Sequence, residues 1–312
     1  MNIQEQKILV TSYANPDIDG TACAFAYAEY LNKTGANAIA GLFGDPHREA
    51  QFVLDKFNIQ INKIDSIPSG YENIILVDAS DLVALPSVIK PEQVIEIIDH
   101  RKINEIEKFI KAKIQIEQVG ACATLVAEKF RQNNIVISKK AAFLLYPAIV
   151  SNTINFQGKL TTERDKDLAE WLVKQIDLPV DFIHEMFVAK SKITKSLEEV
   201  LLEDFKTFEF GDKKIGIAQF EITDTNKYIK NNLSEIIKIL EKMKQQKLLD
   251  HIFLNGIDLE GKGNTFVSAH KDTINLLESI LKIKFNDNLA VANRIIMRKE
   301  ITPLMKEFIE KS

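Results

Sequence analysis

The feature that most constrains this chain is a repeated ending. Three apolar runs, residues 8–10, 74–77 and 94–98, are each followed closely by acids or imidazole: Asp17 and Asp19, Asp78, and Asp99 with His100. Apolar runs without alternation fit strands covered by helices on both faces, which means a mostly parallel sheet. Parallel strands bring their carboxyl ends to one edge, where open α/β sheets bind ligands. Four carboxylates and a histidine converging there would repel one another, and a divalent cation is the usual compensation.

Around these runs the pattern alternates. Helical periodicity is expected over residues 21–34, 49–57, 124–130, 138–150 and 161–176, with a further strand over 38–42. Gly120 and small residues precede the helix at 124, a start whose backbone N–H groups suit an anion. The pattern changes near Leu178-Pro179, and residues 181–202 read as one charged helix. The expected division is a domain over 1–185, a connection over 186–196, and a smaller α/β domain over 197–312. In that second part, 207–210 and 214–220 read as a hairpin across Gly211-Asp212. A long amphipathic helix over 232–247, strands over 251–255 and 265–269, and a last helix after Arg298-Lys299 follow.

Composition narrows the function classes. The 312 residues, 46% hydrophobic, can fill two cores. A net charge of -4 and a pI near 5.9 supply no general basic surface, which argues against long nucleic acid as the ligand. The N-terminus lacks a signal-peptide pattern, and no segment approaches the ~20 apolar residues needed to span a membrane; a soluble, cytoplasmic protein is expected. Cys23 and Cys122 read as reduced, buried thiols.

Asn15-Pro16-Asp17-Ile18-Asp19, Leu76-Val77-Asp78, Ile98-Asp99-His100 and Ser151-Asn152-Thr153 fall in the order and rough spacing of the four motifs of DHH phosphoesterases. The chain resembles family II, manganese-dependent, inorganic pyrophosphatases most. Asp204-Phe205-Lys206 and Arg298-Lys299 followed by Pro303 are similar to the second, DHHA2 domain of that family. Prune-type exopolyphosphatases share Asp-His-Arg, here Asp99-His100-Arg101, and the glycine motif of residues 119–125.

The resemblance implies an active site in the interdomain cleft, a homodimer, and in-line attack of a metal-activated water on phosphorus. It implies Asp17, Asp19, Asp78, His100 and Asn152 as metal ligands, with Asp78 bridging. Asp78, Arg101 and Asp99 form the catalytic set, Asp99 by orienting an imidazole or backbone. Arg101, Lys206, Arg298 and Lys299 would bind substrate. Oxygen ligands with one imidazole suit Mn²⁺ or Mg²⁺, with Co²⁺ a further candidate. The substrate implied is a small phosphoanhydride, pyrophosphate first and short-chain polyphosphate as the alternative; a metal-impaired binding protein is the second alternative.

Three positions depart from the pattern. Tyr13 stands where the family has a metal-binding histidine, Arg101 where it has a second histidine, and Asn152 where it has an aspartate. A phenol titrates near ~10 and is a poor cation ligand at neutral pH; a guanidinium is permanently charged. The site should hold cations less tightly, with one ion on Asp19, Asp78 and His100 and a second arriving with the phosphate. His47, His184, His251 and His270 have no partner spacing and read as structural or exposed.

Overall fold

The computed structural model describes residues 7–101, 104–261 and 263–311. The chain divides into two compact units, 1–190 and 191–312. In the first unit, strands and helices alternate. They are β1 (Lys7–Thr11), α1 (Ile18–Lys33), β2 (Asn37–Phe43), α2 (Arg48–Lys56), β3 (Asn62–Ile64), β4 (Asn73–Val77), β5 (Val94–Asp99) and β6 (Lys113–Ile116). Helices α3 (Cys122–Gln132), α4 (Lys139–Asn152), α5 (Glu163–Val173) and α6 (Phe182–Lys190) complete it.

Among the described residues these strands form one sheet in the order β3-β2-β1-β4-β5-β6, with every neighbouring pair parallel. The mostly parallel sheet expected from the apolar runs is the sheet observed. Leu9, Val10, Ile74, Leu76, Ile97 and Ile98 are fully or almost fully buried, as strands packed on both faces require. After β1 the chain builds outward through β2 and β3, then returns to place β4 on the other side of β1. That reversal is the switch point at which an open sheet forms its crevice. Two short strands, β3 and β6, were not expected from sequence. They pair at the two edges and lack the long apolar runs that mark the central strands.

The second unit comprises α7 (Leu197–Glu203), β7 (Phe205–Phe210), β8 (Lys213–Ile222), α8 (Thr225–Lys247), β9 (His251–Asp258), β10 (Asn264–Val267), α9 (Lys271–Leu281), β11 (Phe285–Asn286), β12 (Leu289–Ala292) and α10 (Arg298–Lys311). Its mixed sheet runs β11-β12-β10-β9-β8-β7, with β8 and β9 parallel and the other neighbours antiparallel. The β7–β8 hairpin turns at Gly211, whose φ of 59° suits glycine. The expected helix over 181–202 is instead two, α6 and α7. Ser196 caps α7, accepting from Glu199 N while the Glu199 carboxylate accepts from Ser196 N, a local start that outcompetes continuation from α6.

One buried carboxylate ties the first unit together. Asp165, fully buried near the start of α5, accepts hydrogen bonds from Gly120 N, Thr124 Oγ1, Thr162 N and Thr162 Oγ1 at 2.5–3.0 Å. A Cβ on Gly120 would lie 2.5 Å from Thr153 Cγ2 and 2.9 Å from Asp165 Oδ2, so the glycine is needed for this close approach. Asp165→Ala would strand the Gly120 N–H and the Thr124 hydroxyl. We expect it to destabilise the first unit by about 3 kcal/mol, read as a lower urea midpoint for that unit's transition.

Candidate active site

The first strand-to-helix connection is set by its own polar groups. Asp17 is the N-cap of α1, its Oδ1 accepting from Asp19 N at 2.9 Å and Gly20 N at 3.1 Å. Asn15 adopts a left-handed φ of 52° and accepts from Asp45 N at 3.1 Å. The turn delivers Asp19 into the first turn of α1, where it is fully buried.

Asp19 is answered from two other helices, α3 and α4. Its Oδ2 accepts from Cys122 N at 2.8 Å and Asn152 Nδ2 at 2.6 Å; its Oδ1 accepts from Ala123 N at 2.8 Å. The anion expected at the start of the helix after Gly120 is therefore Asp19 itself, sitting on the N-terminus of α3. Asn152 meets it with its amide nitrogen because a carboxylate needs a donor. Cys23 Sγ lies 3.5 Å from Asp19 Oδ1, and Cys122 Sγ donates to Ile98 O at 3.2 Å. Burial raises both thiol pKa values, that of Cys122 to about 12, so both stay protonated.

Asp78 follows β4 in a left-handed conformation, φ 52°, with its N–H bonded to Ile98 O at 2.8 Å. A non-glycine residue held there is the kind of strain that clusters at functional sites. Its Oδ1 is buried with no hydrogen-bond partner. His100 Nε2 lies 3.5 Å from that oxygen and 3.8 Å from Asp19 Oδ2. The other ring nitrogen, Nδ1, donates to Val119 O at 3.0 Å, which leaves Nε2 facing the two carboxylates. One ligand atom from each of Asp19, Asp78 and His100 falls within 4.8 Å of the others.

Asp99 works from behind. Its Oδ1 accepts from His100 N at 2.7 Å and Arg101 N at 3.3 Å, and its Oδ2 accepts from Ser80 Oγ at 2.5 Å. Arg101 Nη2 donates to Asp78 O at 2.8 Å and lies 3.6 Å from Asp78 Oδ1. The guanidinium packs over the Tyr13 ring, 5.2 Å from its centroid, and Tyr13 Oη accepts from Asp17 N at 3.0 Å. Burial, with the Asp17 and Asp78 charges, raises the Tyr13 pKa, so the phenol stays neutral.

The carboxylate pair governs the electrostatics. Burial, joined by its neighbouring acids, pushes Asp19 well above the ordinary range and Asp78 up to about 6. Burial works against a charge on His100, but Asp78 and Asp19 outweigh it and raise the imidazole to about 10. Two buried acids thus recruit a proton onto His100 as their counter-charge, and the same demand suits a divalent cation. The donor set of two carboxylates and an Nε2 fits such an ion.

The other expected substrate-binding residues lie in the second unit. Lys206 on β7 and Lys299 on α10 are exposed. Arg298 is buried and forked onto Asp204, with Nη1 to the carbonyl at 2.7 Å and Nη2 to Oδ1 at 2.5 Å. Sequence reasoning missed the network behind it. Asn255 Nδ2 donates to Gln219 Oε1 and Ile296 O, Asn264 Nδ2 to Asn255 Oδ1 and Ile296 O, and Arg298 N to Gln219 Oε1, all at 2.5–3.1 Å. These buried amides hold residues 296–298 to the sheet. Polar residues inside apolar strands were the available signal. Of the remaining histidines, His47 and His184 are exposed and His251 pairs with Thr273 Oγ1 at 3.1 Å. His270 is partly buried.

A parallel sheet with this carboxylate and imidazole cluster, followed by a mixed α/β unit, defines a two-domain protein of the DHH class. Residues 7–149 match the DHH family, N-terminal domain, and residues 184–308 match the DHHA2 domain. A Clostridium acetobutylicum protein named a probable manganese-dependent inorganic pyrophosphatase is 30% identical, over 98% of this chain and 99% of its own. The chain belongs to the DHH family, in the branch that carries a DHHA2 domain. A Bacillus cereus protein of the same name is 29% identical over 97% and 98% of the two chains. The crystal structure of a Methanococcus jannaschii protein assigned to the family II inorganic pyrophosphatases superposes with a TM-score of 0.66 at 27% identity, covering 97% of this chain and 99% of that one. An exopolyphosphatase-related protein from Bacteroides fragilis shares the fold, with a TM-score of 0.50 at 13% identity over 98% and 92%.

The raised His100 pKa has a signed consequence for the metal-free protein. Below the ordinary value of 6.5 the imidazole is protonated in both folded and unfolded states, and its stabilisation is fully present. From there to about 10 the folded state keeps a proton that the unfolded chain has lost, so stability falls as pH rises. We expect urea denaturation of chelator-treated protein to show a loss between pH 7 and pH 9.5 on the order of a few kcal/mol, and His100→Gln to flatten that dependence.

Proposed function

We propose that this chain is a metal-dependent inorganic pyrophosphatase, cleaving diphosphate with water into two phosphates. The observation that carries the reading is Asp78 Oδ1, buried without a hydrogen-bond donor beside Asp19 and His100. A buried carboxylate oxygen with no hydrogen bond, whose charged neighbours His100 and Arg101 stand off at 3.5 and 3.6 Å, is costly, and a divalent cation would bind it directly. The names of the full-length relatives support diphosphate as the substrate. Oxygen donors with one imidazole favour Mn²⁺ or Mg²⁺, with Co²⁺ accepted.

When bound, such an ion supplies Lewis-acid polarisation of phosphoryl oxygens and lowers the pKa of a water at the site. The protein's own groups do the rest. Asp19, Asp78 and His100 are the principal ligands, with Asp17 and the neutral amide oxygen of Asn152 as further candidates. Val119 O holds a proton on His100 Nδ1, so Nε2 is the nitrogen that would ligate, releasing the proton it carries in the metal-free protein. Asp99 fixes the backbone of His100 and Arg101 together. Arg101 keeps guanidinium N–H groups beyond the one spent on Asp78 O, and these suit a phosphate oxygen. Lys206 and Lys299 offer exposed ammonium groups for the same chemistry, while Arg298 holds Asp204 beside the start of β7. A homodimer in the cytoplasm belongs to this reading.

Short-chain polyphosphate is the second substrate reading, favoured by Arg101 in Asp-His-Arg. Metal-stripped protein supplied with Mn²⁺, Mg²⁺ or Co²⁺ and assayed on pyrophosphate, tripolyphosphate and a nucleoside triphosphate decides between them. We expect Mn²⁺-dependent phosphate release fastest from pyrophosphate, and Asp78→Ala to lower kcat by about 10³-fold or more. Faster release from tripolyphosphate would move the assignment to the exopolyphosphatase. No metal-dependent turnover would leave a phosphate-binding protein.

A further inference from the structure

The three departures from the family pattern are not scattered: each lies against one of the buried carboxylates or its partner. Arg101 sits beside Asp78, Tyr13 lies beneath Arg101, and Asn152 donates to Asp19. Around Asp19, Cys122 N, Ala123 N and Asn152 Nδ2 occupy the carboxylate from the protein side, leaving His100 and Asp78 as its partners in the cluster. Asp78 Oδ1 has His100 Nε2 at 3.5 Å and Arg101 Nη2 at 3.6 Å, with a hydrogen bond to neither. Asp17 has committed Oδ1 to the amides at the start of α1, and Tyr13 is a neutral phenol.

Among the described residues, the one group of three His, Cys, Asp or Glu side chains able to hold an ion is Asp19, Asp78 and His100; Asp17 is outside it. A guanidinium cannot ligate a cation, and at 3.6 Å from Asp78 Oδ1 it repels a second divalent ion from the region that oxygen could bridge. It is also held in place. Asp78 O takes one Nη2 hydrogen bond, Asp99 Oδ1 lies 3.9 Å from Nε, and the Tyr13 ring supplies a flat, electron-rich face.

We propose that Arg101 is a fixed cation on one side of Asp78, that the resident complement is a single divalent ion on Asp19, Asp78 and His100, and that Tyr13 is the positioning residue that holds the guanidinium. This deepens the pyrophosphatase reading and rests on it. Arg101 then meets the phosphoanhydride directly: a planar fork beside one ion selects a substrate with two neighbouring phosphoryl groups, one for the ion and one for the guanidinium. Tyr13 reaches the substrate through Arg101, its ring holding the guanidinium while its Oη accepts from Asp17 N.

The test reads metal before it reads turnover. Metal-stripped protein is titrated with Mn²⁺ alone, with free ion followed by electron paramagnetic resonance. One tight ion per chain is expected; two tight ions without any phosphate would overturn the proposal. Arg101→Ala should add a second, weaker Mn²⁺ site or tighten the first about tenfold. It should also weaken binding of imidodiphosphate, a non-hydrolysable analogue, about tenfold or more. If it changes neither, Arg101 is not the fixed cation. Tyr13→Ala should reproduce the Arg101→Ala binding pattern, and Tyr13→Phe, which keeps the ring, should restore the wild-type pattern. A Tyr13→Phe protein as impaired as Tyr13→Ala would remove the positioning role. Far-UV circular dichroism on each variant separates these effects from misfolding. The binding results stand without catalysis, so absence of hydrolysis alongside one-ion stoichiometry and Arg101-dependent analogue binding would sink the enzyme reading and keep this one.

Discussion

The carboxylate of Asp19 on the N-terminus of α3 is the contact on which the first unit's site depends. Its bonds to Cys122 N and Ala123 N join α1 to α3, and the Asn152 amide brings in the end of α4. Helix N-termini offer unsatisfied N–H groups and a favourable dipole, which offset part of the cost of burying an acid there. With Asp19 held by three donors, Asp78 and His100 complete the candidate ion-binding cluster. Val119 O, just before α3, sets the His100 ring, so the same short segment orients two of the three candidate ligands.

Charge compensation is the second theme. Two fully buried acids cannot both remain ionised without positive charge nearby. The molecule answers with His100, Arg101 and oriented amides, and each leaves a trace: a raised imidazole pKa, a guanidinium bonded to Asp78 O, and a carboxylate ringed by N–H groups. Asp78 Oδ1 is the atom these devices leave without a hydrogen bond, with His100 Nε2 at 3.5 Å and Arg101 Nη2 at 3.6 Å. That fixed positive character is the ground on which a single resident ion is proposed.

The second unit uses a different device for a similar end. Gln219, Asn255 and Asn264 sit within strands and spend their amides on one another and on residues 296–298. Buried polar networks that are satisfied specify one arrangement, and here they fix the entry to α10, where Arg298 pairs with Asp204. Arg298 is thus more deeply committed to its own unit than a solvated basic helix start would be.

Much of this was legible in the sequence. Continuous apolar runs ending in acids specified parallel strands and one loaded edge, because a strand buried on both faces has no room for alternation. Motif order placed the family, and the chemistry of phenol, guanidinium and amide already marked Tyr13, Arg101 and Asn152 as departures. Edge strands β3 and β6 were hidden because their pairing is made by neighbours rather than by local composition, and the break between α6 and α7 by a capping box within a charged run. Tertiary structure alone decided that Tyr13 lies beneath Arg101, that Asn152 turns its nitrogen to Asp19, and that Asp165 ties Gly120, Thr124 and Thr162 together. Each of these is a contact between groups distant in sequence or dependent on side-chain direction. Local pattern carries no record of which donor finds which acceptor once the chain has closed on itself.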